Sequence, residues 1–373
     1  MIFKITSPKA DEVLGWSLAL IRGRYLGSDR IDAVEVVNLS EGRDARPVSW
    51  PVAGGAFVAF VSLLPGTNAV RLGHGDLWQD LVLRHEPPGP REYVRPAYVV
   101  CRDEPDRGPS VEGALQRVAL GARILQALLA ETLAAAGFQR RTFCLEPAVH
   151  VFRTGLTVAE ARSMAAGKVW RCLAEELVRS ALGDPDRCKL LAFASWADAE
   201  PSGTAGRPMV GAGGLAPLRG RPPLLLAPGS PGASRPGWET PGKRTAPTAP
   251  DVQCCGVTNP FRNRSLELRD AAGTSQGSPW ACFWSSLGGV LHELGHVLDL
   301  VHADVGIMGR GFHHLALLCA PSEDPQNAVG GAPDAFFEPK LRPAGMHGEG
   351  VPGDGNGGPY WSRSCAVILN YHR

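Results

Sequence analysis

The most chemical stretch of the chain is residues 292–302, which hold His292, Glu293, His296, Asp299 and His302. His292 and His296 are four residues apart. On a helix that spacing puts two side chains on one face, one turn apart. Two imidazoles so placed can both reach one Zn²⁺ at about 2.0–2.1 Å. Glu293 is rotated about 100° from His292 and can face the fourth coordination position without ligating. There it would take a proton from zinc-bound water, whose pKa the metal lowers to about 7, and later deliver it to a leaving amine.

A catalytic zinc keeps three protein ligands and an open position. His302 supplies the third in the spacing H-E-x-x-H-x-x-D-x-x-H, which follows the metzincin pattern except that Asp299 stands where a glycine is expected. In that pattern the helix stops after the second His, and glycine turns the chain back by adopting φ > 0. Asp is among the few other residues enriched in that region, so Asp299 can make the turn. Asp299 could instead be the third ligand, or accept an imidazole N–H behind the ligands; His302 is the preferred ligand. Met308, flanked by Gly306 and Gly309, resembles the Met-turn beneath a metzincin zinc, at a shorter gap than most. Arg310 could pair with Asp304 or contact a substrate carboxylate. His313 or His314 could orient substrate or stabilise an oxyanion.

These residues need a helix to carry them, and Ser285 or Ser286 can cap one running to about Leu298. Further back, residues 1 to about 100 read as short strands: Val34–Leu39, Ala56–Leu64, Asn68–Leu72, Trp78–Arg84 and Ala97–Cys101. Turn residues separate them at roughly ten-residue spacing, which suggests an antiparallel β-sandwich. The period then changes. One helix is expected from Ser110, as N-cap, to a stop at Gly137. A second opens with a capping box at Thr157 and Glu160 and runs to about Leu182. Residues 201–250 hold 21 Gly and Pro in 50 positions, against about six in average usage. Such a segment cannot bury enough apolar surface to offset its ordering entropy, and it reads as a disordered insert.

The chain resembles the Metallopep family, zinc metallopeptidases of yeasts and animals. The resemblance rests on residues 292–302 followed by 306–312, on Trp50-Pro51-Val52, on Leu64 to Asn68, and on Gly137 to Phe143. It covers most of 20–200 and 280–315. It implies a zinc-dependent peptidase domain with His292, His296 and His302 as ligands and Glu293 as catalytic base. In metzincins an edge strand ahead of the active-site helix binds substrate by β-augmentation. Here the Gly/Pro-rich insert occupies that place, so zinc binding could persist where peptide cleavage fails.

The whole chain has 373 residues, 44% hydrophobic and 20% charged, with a net charge of +1. That suffices for a sizeable core and gives no electrostatic argument for nucleic acid or an acidic membrane surface. No run of about 18 uninterrupted apolar residues is present, and no secretory leader is expected. Nine cysteines without a C-x-x-C pair fit reduced thiols in a cytoplasmic or nuclear setting. Cys254-Cys255 and Cys282 read as buried thiols.

The expectation is therefore an α+β chain. It has a β-sandwich over 1–105, a mainly helical metzincin-like domain over 106–345 with the insert at 200–250, and a tail over 346–373. The expected activity is zinc-dependent hydrolysis of a peptide or protein substrate, with no nucleic-acid or membrane partner. The alternative is an inactive zinc-containing protein that binds protein or glycan.

Overall fold

The computed structural model describes residues 2–89, 92–184, 187–196, 224–228, 279–309, 311–319 and 359–372. The first eight strands are β1 (Phe3–Ser7), β2 (Val13–Leu14), β3 (Leu18–Tyr25), β4 (Ala33–Asn38), β5 (Val48–Ala53), β6 (Ala56–Ser62), β7 (Gly66–His74) and β8 (Leu77–His85). They form one sheet in the order β1-β3-β6-β5-β4-β7-β8-β2, antiparallel except at β2 and β8. This corrects the expected sandwich, because alternation in sequence does not tell one curled sheet from two packed ones. The bend is at β5: Val48–Pro51 pair with β4, while Val52–Ala53 pair with β6. Gly54 and Gly55, both at positive φ, make the two-residue turn from β5 to β6, as tight hairpins require. The sheet curls into half a barrel until the Phe3 N–H of β1 donates to Gln79 Oε1 of β8 at 3.2 Å. Trp50, Phe57 and Phe3 are fully buried inside the curl.

The second body is a parallel sheet. It contains β9 (Tyr93–Val100), β10 (Cys144–Leu145), β11 (His150–Arg153), β12 (Cys188–Ala194) and β13 (Leu224–Pro228). β10 and β11 pair with one edge of β9, β12 with the other, and β13 with β12. The Ala97–Cys101 run therefore belongs here and not with the first eight strands. The helices are α1 (Pro109–Ala135), α2 (Val158–Ser163), α3 (Ala166–Arg179), α4 (Pro279–Val297) and α5 (Arg363–Tyr371), with a 3-10 helix at Gly311–Leu318. The expected mainly helical domain is thus built on strands that the sequence hid. Along β12, Leu191 and Phe193 face the core shared with α1 and α4, and Leu190, Ala192 and Ala194 face the core with α3. A parallel sheet buried on both faces reads as a continuous apolar run, without alternation.

α1 lies between the two sheets, against β3 on one side and β9 on the other. It is long and apolar enough to cross a membrane by composition, but 72% of its most apolar window is buried inside this protein. Its N-cap is Gly108, so Ser110 lies inside the helix. Its end is a Schellman turn: Phe138 N–H donates to Leu133 O, Gly137 N–H to Ala134 O, and Gly137 has φ 83°. On this helix Glu131, 4% exposed, pairs with Arg22 Nη1 at 2.6 Å and Arg140 Nε at 2.9 Å, and accepts from Ser7 Oγ at 3.0 Å. That charge cluster fixes the curled sheet to α1.

Two other expectations change. The capping box at Thr157 and Glu160 is present, but the helix it opens is α2 alone. Ser163 Oγ bonds back to the Glu160 carbonyl and Met164 is extended, so α3 starts afresh. Within the expected tail, residues 359–372 include α5, whose Cys365, Ala366 and Leu369 are buried. The insert at 200–250 lies outside the described residues except for β13.

Candidate metal centre

α4 begins at Pro279, so Ser285 and Ser286 are interior to it and do not cap it. Leu287, Val290, Leu291, Leu294 and Val297 bury its inner face. Two glycines set how closely neighbours approach. A Cβ at Gly288 would stand 2.0 Å from the Phe312 carbonyl oxygen, where the 3-10 helix crosses. A Cβ at Gly295 would stand 2.3 Å from Met308 Sδ. Met308 is 1% exposed and packs against α4 at Gly295. At the C-terminal end of α4, Lys189 Nζ on β12 donates to the Val297 carbonyl at 2.9 Å. A cation there complements the helix dipole.

After Val297 the chain reverses. Asp299 has φ 66°, the left-handed conformation that this position demands. The turn returns His302 to the helix face. One ring nitrogen each from His292, His296 and His302 lies within 4.8 Å of the others, so the three can hold a metal ion. Ring centroids are 4.9 Å apart for His292 and His296, 5.2 Å for His292 and His302, and 4.6 Å for His296 and His302. His292 is buried, His296 half-buried and His302 exposed, so the cluster opens to solvent on the His302 side. Asp299 is not part of the cluster. Its Oδ2 lies 3.0 Å from His372 Nε2.

The hydrogen bonds fix the tautomers. His292 Nδ1 lies 2.7 Å from the Ile307 carbonyl and His296 Nδ1 lies 2.8 Å from the Leu300 carbonyl. A carbonyl only accepts, so each Nδ1 is the donor and each Nε2 is the nitrogen left for a metal. That is the arrangement a metal-ligating imidazole needs. His296 Nε2 and His302 Nε2 are 3.2 Å apart. Two nitrogens at 2.0–2.1 Å from one tetrahedral ion lie about 3.3 Å apart. Burial, with His302 alongside, also pushes the His296 pKa down, which favours the neutral ring.

Glu293 is half-buried on α4. Burial pushes its pKa up to about 7. Nothing among the described residues bonds to its carboxylate. His74 and His85 sit in the curled sheet, away from the cluster; His74 Nδ1 bonds the Ala33 carbonyl at 3.0 Å. His313 and His314 fall on the 3-10 helix. Arg310 and Cys254-Cys255 lie outside the described residues.

The family model for Metallopep, described as "Putative peptidase family", matches residues 2–202 and 265–329. The chain belongs to the Metallopep family. No curated protein matches it. The Metallopep match includes the curled sheet, the parallel sheet except β13, and the three-histidine cluster, and is interrupted around the Gly/Pro-rich segment. Its description as a peptidase family implies hydrolysis of peptide substrates. Sequence reasoning missed the backbone carbonyls of Ile307 and Leu300, which any residue could supply. It also missed Lys189 and His372, which lie far from residues 292–302 in sequence.

Proposed function

We propose that this Metallopep protein is a zinc peptidase whose ligands are His292, His296 and His302 and whose general base is Glu293. The observation that carries the reading is the three-histidine cluster itself, one ring nitrogen of each within 4.8 Å of the others, with Nδ1 of His292 and His296 held by backbone carbonyls. Three imidazoles with an open fourth side suit zinc and catalytic use. When bound, zinc would supply Lewis acidity toward water and the scissile carbonyl.

The protein's own residues do the rest. The carbonyls of Ile307 and Leu300 hold the rings in place. Met308 and the 3-10 helix seal the back of the site. Glu293, one position from His292 and without a competing partner among the described residues, takes the proton of the attacking water on its carboxylate. It returns that proton to the departing amine nitrogen, so no covalent intermediate is needed.

The test is a peptide library digested by the zinc-loaded chain and by Glu293→Gln. New amino termini from the first and none from the second support the proposal. Equal yields from both defeat it.

A further inference from the structure

Residues 359–372 lie beyond the family match, yet they touch the metal centre's supports at two places. At one end, the Tyr360 carbonyl accepts from the Ile307 N–H at 2.8 Å. Ile307 is the residue whose own carbonyl holds His292 Nδ1. The approach is close: Gly306 has φ 72°, and a Cβ there would stand 2.3 Å from the Tyr360 oxygen. At the other end, His372 Nε2 lies 3.0 Å from Asp299 Oδ2. Asp299 is the left-handed residue that returns His302 to the cluster.

Between these ends the segment is anchored to α1. Trp361, 1% exposed, donates from Nε1 to Thr132 Oγ1 at 2.8 Å. Cys365, Ala366 and Leu369 of α5 are buried. Arg141 Nη1 donates to the Asn370 carbonyl at 2.7 Å, fixing the end of α5 just before His372. His372 itself is 15% exposed at its side chain, although it is the last described residue.

We propose that residues 359–372 are a positioning strap for the metal centre, with His372 its contact to the turn that delivers His302. The proposal rests on the three-histidine reading. The contacts of the strap described above are to residues that place the ligands. The strap restrains Ile307, which orients His292, and Asp299, which places His302. Without it the two outer ligands lose their fixed directions, and the metal is held more weakly.

The experiment titrates the full chain with zinc against a chromophoric chelator. The variants are His372→Ala, His372→Gln and Trp361→Phe. Gln keeps an N–H for Asp299, and Phe keeps the apolar volume of Trp361 but loses its donor. His372→Ala should raise the zinc Kd about tenfold, with Gln recovering most of that and Trp361→Phe shifting in the same direction. The visible spectrum of the Co²⁺-loaded chain should change shape in His372→Ala and return in His372→Gln. A Kd unchanged in both His372→Ala and Trp361→Phe, or no recovery in Gln, overturns the strap and leaves the three-histidine centre standing. A wild-type chain that binds no zinc overturns both.

Discussion

His292 Nδ1 and the carbonyl of Ile307 are 2.7 Å apart. They join α4 to the turn that carries Met308, so His292 and that turn are placed by one contact. Ile307 is fully buried, and its N–H is in turn held by Tyr360.

The role of Glu293 separates chemistry from binding. Glu293→Gln should lower kcat by about 10²–10⁴-fold, the range of a lost general base, and leave the zinc content of the chain unchanged. Steady-state peptide hydrolysis and metal analysis on the same sample check it. Loss of zinc along with activity would assign Glu293 to holding the site instead.

Glu293 also gives the metal-free chain a pH signature. Burial raises its pKa from an ordinary 4.5 to about 7, so the folded state holds the proton more tightly than the unfolded state. The stabilisation from that group is complete below 4.5 and is lost as pH rises through 7. Denaturant titrations of the metal-free chain should show this decline, and Glu293→Gln should lack it. Identical pH curves for the two would contradict the shift.

Gly295 is predicted to tolerate no side chain. Gly295→Ala puts a Cβ against Met308 Sδ, and relieving that contact should cost about 1–3 kcal/mol. A lower melting temperature of the metal-free chain checks it. An unchanged melt would mean that Met308 is free to move aside.

The cluster of Glu131, Arg22 and Arg140 should behave as a structural tie. Glu131→Ala leaves Arg22, 5% exposed, without its buried partner, which typically costs about 3–5 kcal/mol. Denaturant unfolding monitors it, and a loss below about 1 kcal/mol would show that water replaces the carboxylate.

The metal centre was more legible in the sequence than the fold around it. The spacing of His292, His296 and His302 and the turn at Asp299 follow from helix periodicity and the few residues that accept positive φ. The second sheet did not show, because Leu190 to Ala194 are apolar on both faces and give no period. β3 was passed over for the same reason: Leu18 to Arg22 are all buried. The half-barrel was taken for a sandwich because pairing partners, unlike strand positions, are set by bends such as the one in β5. α5 escaped notice because its packing on α1 depends on Trp361 meeting Thr132, 229 residues away.

The central claim is a single zinc ion held by three histidines on and just after α4. It is tested most directly by plasma mass spectrometry of the purified chain beside His296→Ala. The account predicts one zinc per wild-type chain and none in the variant. A folded wild-type chain without zinc, or a variant that keeps its zinc, would contradict it.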